Sequence, residues 1–365
     1  MNAAIRSFTR NIVYRGGRVF ACHEGIDGLM EGYIEELEWT EMNGLTFQAG
    51  TIIGTRRTTC SDPKTLAKVA EQLEKNKIHA LIGIGGFECY QCFDQMVNGR
   101  KEHKSLRIPL CVIPATISNN VPGTDFSIGA DTAVNEISEI CDRIRKSAEG
   151  TKRRVFVIET MGGYCGYLAT MAGLAGGADA AYIFEEPFGV TDLKSDVDHM
   201  IHKMKEGVTR GLILNNENSN PHYKTGFIHS LFAEEGKEMF STRVNVLGHM
   251  QQGASPSPFD RNLGTKLAAR ASAWVYGMLE GTCSIAQNFE YCFEDADSAS
   301  LVGLIGRQYS FKSLQSLEPH TDFKHRMPKE QWYIKLRPLM RILAKHQSSY
   351  ARQALFSEPD FDSDV

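Results

Sequence analysis

The alternation of short apolar segments with longer amphipathic ones does most to constrain the fold of this 365-residue chain. The apolar segments have the length and the Val, Ile and Leu content of buried strands, and they are Ile78–Ile84, Ile108–Ile113, Val155–Ile158, Ala180–Phe184 and Gly211–Leu214. Apolar residues recur at helical spacing in Asp62–Lys75, Asp131–Lys146, Tyr167–Ala175 and Asp192–Glu206. Strands that alternate with helices, with few hairpin signals, predict an α/β fold in which helices cover both faces of parallel sheets.

Length and charge limit the remaining possibilities. A single hydrophobic core stops growing at roughly 250 to 300 residues, so we predict two lobes. The net charge of −4 provides no broad basic surface for nucleic acid. No apolar run approaches the roughly 18 residues that a membrane span requires. We therefore expect neither nucleic acid nor a membrane as a partner.

Nine cysteines, an odd number, are scattered along the chain rather than framing a small, loop-rich domain. This pattern favours reduced thiols and a cytoplasmic location. Cys89 and Cys92 have the spacing of a redox or zinc half-site, but no second Cys or His pair stands at a matching spacing. We prefer a structural role for both on a packed helix, and a thiol redox or zinc protein stays as an alternative.

The first 22 residues allow two interpretations. They contain four arginines and no acidic residue before position 23, which is the composition of a mitochondrial transit peptide. They also fit a helix, Asn2–Tyr14, ended by two glycines and followed by a strand, Arg18–Cys22. We favour the folded helix, because the segment runs into the strand without a polar spacer.

Three segments follow predicted strands in a way that suits ligand binding: Gly83–Gly86, Pro114–Asn120 and Met161–Gly166. A glycine turn between a strand and a helix directs backbone N–H groups towards a phosphate, although such glycines also serve close packing alone. The carboxyl ends of parallel strands are where open α/β folds bind ligands. Two glycine turns in one chain favour a phosphorylated ligand.

Several motifs together carry a resemblance: Met1–Ala4, Gly54–Arg57, Thr116–Asn120, Phe126–Ala133, Met161–Gly166, Gly248–Gly253 and Pro258–Arg261. Over about residues 1–345 the chain resembles ATP-dependent 6-phosphofructokinase, specifically the carboxyl-terminal half of the duplicated animal enzyme. The resemblance implies a two-lobed fold with Rossmann-like parallel sheets. Its larger lobe would take residues 1–137 and 250–305 and its smaller lobe 138–249 and 306–345, followed by an acidic, flexible tail over 346–365.

The chain departs from this family at three acidic positions. The family's catalytic loop has the sequence TIDND, in which the first Asp takes the proton from the attacking sugar hydroxyl. Ser118 stands in the place of that Asp, and Asn120 in the place of the second. A serine hydroxyl cannot act as a base near neutral pH. The family's magnesium-bearing turn has the sequence GGDGS, and Phe87 replaces its carboxylate. We predict that this half has no catalytic residue and binds neither the ATP nor the Mg²⁺ that the parent enzyme uses.

Loss of acidic groups also favours an anionic ligand. A carboxylate about 4 Å from a phosphate charge is repelled by roughly 4 kcal/mol at an effective dielectric constant near 20, whereas Ser and Asn donate hydrogen bonds. The resemblance implies that this half binds the allosteric activator fructose 2,6-bisphosphate. The matching positions are Arg57, Thr116, Ile117, Ser118, Asn119, Asn120, Arg154, Met161, Gly162, Gly163, Glu217, Arg243, His249, Met250, Gln251, Gln252 and Arg326. Arginine and histidine would meet phosphates, and Glu217 would accept sugar hydroxyls.

The resemblance also implies partners. These are the catalytic amino-terminal half and the other subunits of a cytoplasmic, tetrameric, glycolytic enzyme that phosphorylates fructose 6-phosphate. Arg154 and Arg243 would then complete a site across a subunit interface. Because the family begins this half with a strand and a glycine turn, we expect the chain to be an amino-terminally truncated fragment. The alternative is a competent sugar-phosphate kinase that uses Glu88 or Asp125 in place of the missing groups.

Overall fold

The computed structural model describes residues 1–148, 150, 153–282 and 292–346. The α-helices are α1 (Asn2–Tyr14), α2 (Ile26–Glu31), α3 (Pro63–Lys75), α4 (Phe87–Asn98), α5 (Ala130–Ser147), α6 (Tyr167–Gly176), α7 (Val190–Lys205), α8 (Thr225–Glu235), α9 (Pro258–Thr282), α10 (Leu314–Leu317) and α11 (Arg337–Leu343). The strands are β1 (Val19–Cys22), β2 (Ile34–Leu37), β3 (Leu81–Gly85), β4 (Leu110–Pro114), β5 (Arg154–Thr160), β6 (Ala180–Tyr182), β7 (Arg210–Asn216), β8 (Ser241–Val246), β9 (Ala299–Ile305), β10 (Gln308–Ser313), β11 (Thr321–Asp322) and β12 (Met327–Pro328).

The chain divides into two compact units. Unit 1 comprises Met1–Thr116, Asn120–Gly129 and Ser255–Lys329, and unit 2 comprises Ile117–Asn119, Ala130–Ala254 and the chain from Glu330 onwards. The crossings predicted near residues 137, 250 and 305 therefore need correction. The last one differs most, because β10 pairs with β9 and keeps its part of the chain in unit 1. The predicted acidic tail lies outside the described residues, apart from His346.

Unit 1 is built on a four-stranded sheet with the order β10-β9-β4-β3. Strands β3, β4 and β9 run parallel. Successive side chains of a strand point to opposite faces. On β4, Leu110 and Val112 pack with side chains of α3 and α4, while Cys111 and Ile113 pack with side chains of α9. Helices therefore cover both faces of this sheet, as predicted.

Unit 2 repeats this arrangement on a sheet with the order β6-β7-β5-β8, all of whose strands are parallel. Val155 and Val157 of β5 pack with α7 and α8. Phe156 and Ile158 point to the other face and pack with α5 and α6. The α/β class with parallel, helix-covered sheets is thus confirmed in both units.

The predicted elements agree closely with the observed ones. Helix α1 has the predicted bounds, and it buries Ala4, Ile5 and Ile12 against the unit 1 core. Helix α3 begins where the sequence indicated, because the Asp62 carboxylate accepts a hydrogen bond from the Lys64 N–H and Pro63 occupies the first helical position. In the described part of the chain, no helix has both the length and the apolar character needed to cross a bilayer.

Two expectations were wrong. The sequence has few hairpin signals, yet β1 pairs antiparallel with β2 and β9 with β10. The cysteine pattern also favoured reduced thiols, whereas Cys60 and Cys92 are joined as a disulfide within the unit 1 core. Cys60 precedes α3 and lies 32 residues before Cys92, so only the folded chain brings the two together.

Candidate functional site

The Met161–Gly166 turn follows β5 at the carboxyl edge of the unit 2 sheet, and side chains from the segments that follow β7 and β8 hold it. Glu217, directly after β7, accepts hydrogen bonds at Oε1 from the N–H groups of Gly162 (3.0 Å) and Gly163 (2.8 Å). Gln251 accepts from the Met161 N–H (2.8 Å) and donates to its carbonyl (3.2 Å). The structure thus brings these predicted residues together. It also corrects the expected role of the glycine N–H groups, because Glu217 already occupies them.

Three further side chains, which no sequence motif indicated, support this turn. The Glu185 carboxyl accepts a hydrogen bond from the Gly166 N–H (2.8 Å) and another from the Tyr333 hydroxyl. The buried amide of Asn216 donates to the Cys165 carbonyl (3.1 Å). Glu185 and Tyr333 stand far from Gly166 in the chain, so no spacing in the sequence could have linked them to the turn.

Part of the predicted binding loop, Ile117–Asn119, lies beside this turn in unit 2. Ile117 packs against the core formed with α5 and α6, and Ser118 is half-buried. Asn119 is 5% exposed and adopts a left-handed backbone with φ of +52°. Its carbonyl accepts a hydrogen bond from the Cys165 thiol (3.8 Å). The loop therefore joins the cluster formed by Glu217, Gln251 and the glycine turn.

The remaining predicted residues of unit 2 are more exposed. His249, Met250 and Gln252 lie on the surface of the short 3₁₀ helix Gly248–Gln251 and the residue after it. Arg154 is the first residue of β5, about 20 Å along the strand from its carboxyl end. Arg243 lies on β8 opposite Phe156, near that same amino end. The structure thus places Arg154 and Arg243 near each other and away from the turn.

In unit 1, the turn between β3 and α4 is shaped by packing. A Cβ atom at Gly83 would lie 2.5 Å from the Cys89 sulfur, and one at Gly85 would lie 2.7 Å from the Cys89 Cβ. These glycines therefore allow α4 to approach β3 closely, so they have the packing role described above. Phe87, which was predicted to replace a metal-bearing carboxylate, is 1% exposed. Its ring packs against Phe323, with the ring centres 5.9 Å apart.

Two other predicted residues, Asn120 and Arg326, form a second cluster with Glu88 in unit 1. The Asn120 amide donates to the Arg326 carbonyl (2.8 Å), and Arg326 forms an ion pair with Glu88 at 2.9 Å. Glu88, which the catalytic alternative would use, is thus paired with Arg326. Thr116 lies next to the glycine turn, where a Cβ at Gly86 would be 3.2 Å from the Thr116 Cβ. Arg57 is exposed on the segment after α2 and β2.

The thiol alternative receives little support. Cys92 is bonded to Cys60 rather than to Cys89, and burial raises the pKa of the Cys89 thiol to about 12, so it is not a thiolate at neutral pH. Within the described ranges, no three His, Cys, Asp or Glu side chains are grouped as metal ligands.

In each unit, polar residues gather in the turns that follow parallel strands. This arrangement defines an α/β protein of the class in which ligands bind beyond the carboxyl ends of the strands. A family profile described as Phosphofructokinase matches residues 1–275. The chain belongs to the phosphofructokinase family.

Individual relatives agree with this assignment and with the expected resemblance. The platelet-type ATP-dependent 6-phosphofructokinase of Rattus norvegicus is 52% identical over 350 residues, which cover 96% of this chain and 44% of that protein. The muscle-type enzyme of Homo sapiens is 52% identical over 347 residues, covering 95% of this chain and 44% of that protein. The structure of phosphofructokinase from Saccharomyces cerevisiae matches with a TM-score of 0.88 at 32% identity, over 94% of this chain and 45% of that one. The chain thus spans less than half the length of these relatives.

Proposed function

We propose that this chain is the effector-binding half of a cytoplasmic 6-phosphofructokinase and that it binds fructose 2,6-bisphosphate in a site that has lost catalysis. The observation that carries the proposal is the replacement of both reactive carboxylates. Ser118 stands at the position of the base, and Phe87 is buried in an aromatic cluster at the position of the metal-bearing carboxylate.

Each cluster, taken by itself, contains groups that suit a phosphorylated sugar. In unit 1, Arg326 presents a guanidinium group whose side chain is 56% exposed, and guanidinium groups bind phosphate oxygens with paired donors. In unit 2, both glycine N–H groups donate to Oε1 of Glu217. The other oxygen, Oε2, has no hydrogen-bond partner among the described residues. This second oxygen can accept a hydrogen bond from a sugar hydroxyl, as the sequence analysis expected of Glu217.

The residues present do not fit a magnesium ion. A hard cation needs oxygen ligands, and the turn Gly85–Phe87 offers an aromatic ring where the family has a carboxylate. Glu88 is engaged with Arg326. Asp125, the other replacement considered, accepts a hydrogen bond from the Gly306 N–H (2.6 Å). We infer that this half performs no phosphoryl transfer and depends on a catalytic half for activity.

Arg154 and Arg243 take a different role in the proposal. They lie near the amino ends of β5 and β8, away from the turn in their own chain. We infer that they face the effector site of a neighbouring subunit in a homo-oligomer. Both guanidinium groups would then contribute to binding of one phosphate.

Titration calorimetry with fructose 2,6-bisphosphate tests the proposal. We expect the 365-residue chain to bind this ligand more tightly than fructose 6-phosphate, because the second phosphate adds charge-assisted contacts. Ser118→Asp should weaken binding at least tenfold, since a carboxylate near a phosphate is repelled by several kcal/mol. Ser230→Asp, on the exposed face of α8, is the matched control and should leave the affinity unchanged. Equal affinities of the wild-type chain and Ser118→Asp would contradict the proposal.

The catalytic alternative makes the opposite prediction for activity. A coupled assay with ATP, Mg²⁺ and fructose 6-phosphate should detect no turnover by this chain. Turnover that disappears in Glu88→Gln or Asp125→Asn would overturn the effector-binding proposal in favour of a competent kinase.

A further inference from the structure

A buried hydrogen-bond network lies beneath the Met161–Gly166 turn and reaches the binding loop. Tyr333 is fully buried, and its hydroxyl donates to the same Glu185 oxygen that accepts the Gly166 N–H. The Tyr333 oxygen also lies 3.3 Å from the Cys165 sulfur. One hydroxyl therefore contacts Cys165 within the turn and Glu185, which binds the turn at Gly166.

Cys165 extends this network to the binding loop. Its thiol donates to the carbonyl of Asn119 (3.8 Å), and its own carbonyl accepts from the Asn216 amide (3.1 Å). The backbone at Asn119 adopts a left-handed conformation, which sets the direction of its carbonyl. The Cys165 thiol must lie along that direction to donate to it. Displacing the Tyr333 hydroxyl would consequently disturb the glycine turn and the loop together.

Glu185 is the titratable centre of this network. Burial raises the pKa of the Glu185 carboxyl, although the Gly166 N–H, the Tyr333 hydroxyl and the charge of Arg337 act in the opposite direction. Its Oε2 atom is buried and has no hydrogen-bond partner in the described part of the chain. The neighbouring titratable groups, Cys165 and Tyr333, have pKa values raised by their own burial and remain neutral. Ionisation of Glu185 would therefore place a new negative charge directly under the turn.

We propose that Tyr333 and Glu185 are positioning residues for the effector site, and that ionisation of Glu185 weakens the binding of an anionic ligand there. This inference rests on the proposed function for its ligand. Neither residue touches the ligand in this scheme. Tyr333 holds Glu185 and Cys165, and these hold the turn at Gly166 and the loop at Asn119.

Calorimetry with fructose 2,6-bisphosphate between pH 5.5 and 8.5 tests the role of each residue. Tyr333→Phe should weaken binding about tenfold, because it leaves the Glu185 carboxyl without its hydroxyl partner. Tyr182→Phe is the matched control: Tyr182 is also buried in unit 2, and its hydroxyl donates to the Asp196 carboxylate (2.7 Å) away from the turn. It should keep wild-type affinity. Equal affinities of Tyr333→Phe and the wild type would overturn the positioning role.

Glu185→Gln tests the effect of ionisation. The glutamine retains an oxygen that accepts from Gly166 and Tyr333 but does not titrate. Protonation of the ligand's phosphates affects both proteins equally, so the informative quantity is the ratio of their dissociation constants. We expect the wild-type constant to rise relative to that of Glu185→Gln as the pH increases. A ratio that is constant across the range would overturn the role of ionisation.

Amide hydrogen exchange separates this inference from the proposed ligand. Exchange at the Gly166 N–H should be faster in Tyr333→Phe than in the wild type and in Tyr182→Phe. If the wild-type chain binds no fructose 2,6-bisphosphate but this difference appears, the positioning role is supported and the proposed ligand is wrong. If Gly166 exchanges at the same rate in all three proteins, the positioning role is wrong whatever the ligand.

Discussion

The ion pair between Glu88 and Arg326 makes a specific prediction about effector affinity. The two groups lie 2.9 Å apart, with side chains 23% and 56% exposed. An exposed pair of this kind contributes only about 0.2–1 kcal/mol to stability. The Glu88→Gln variant should therefore fold normally, with a free energy of unfolding within about 1 kcal/mol of the wild-type value.

The effect on binding should be larger than the effect on stability. A phosphate held by Arg326 would lie within roughly 8 Å of the Glu88 carboxylate, and two like charges at that distance repel by about 2 kcal/mol at an effective dielectric constant of 20. Salt screening reduces this value. Removing the charge should tighten binding of fructose 2,6-bisphosphate by about tenfold, or about 1.4 kcal/mol.

Calorimetry at low and at high ionic strength measures this difference. The gain should shrink as salt is added, because the interaction is between partly exposed charges. Glu36→Gln is the control, since Glu36 forms an exposed ion pair with Arg18 on the β1–β2 hairpin of the same unit. It should not change the affinity. An affinity of Glu88→Gln equal to or weaker than that of the wild type would refute the assignment of Arg326 to phosphate binding.

Two further predictions concern stability. Burial and the neighbouring Glu318 raise the pKa of Asp94 to about 7. The folded chain therefore binds the Asp94 proton more tightly than the unfolded chain does. The free energy of unfolding should consequently fall as the pH rises from about 4 to 7. Urea unfolding should show Asp94→Asn losing about 4 kcal/mol of this pH dependence, and an unchanged dependence would contradict the shift. Asn119 has a positive φ, a conformation that glycine adopts more easily than alanine. Asn119→Ala should therefore be less stable than Asn119→Gly by about 1 kcal/mol. Equal free energies of unfolding would show that the backbone is not strained.

Local patterns in the sequence were sufficient to predict most of the fold. Helix α1 was predicted at its observed bounds, and the buried strands β4, β5 and β7 were located because continuous apolar segments have few other structures available to them. The hairpin of β9 and β10 was missed, because it lies in a part of the chain where no apolar segment had been identified. Its pairing also moves the boundary between the units from residue 305 to 329.

The same distinction applies to the candidate site. The chain by itself determined the α/β class and the family, and it predicted the loss of reactive carboxylates at Ser118 and Phe87, because these depend on residue types at particular positions. Only the tertiary structure decided that Glu88 neutralises Arg326, that Glu217 occupies the glycine N–H groups, and that Glu185 and Tyr333 lie beneath the turn. These contacts join residues that are tens to hundreds of positions apart. Their formation depends on how the sheets and helices pack, and this packing is not encoded in any local spacing.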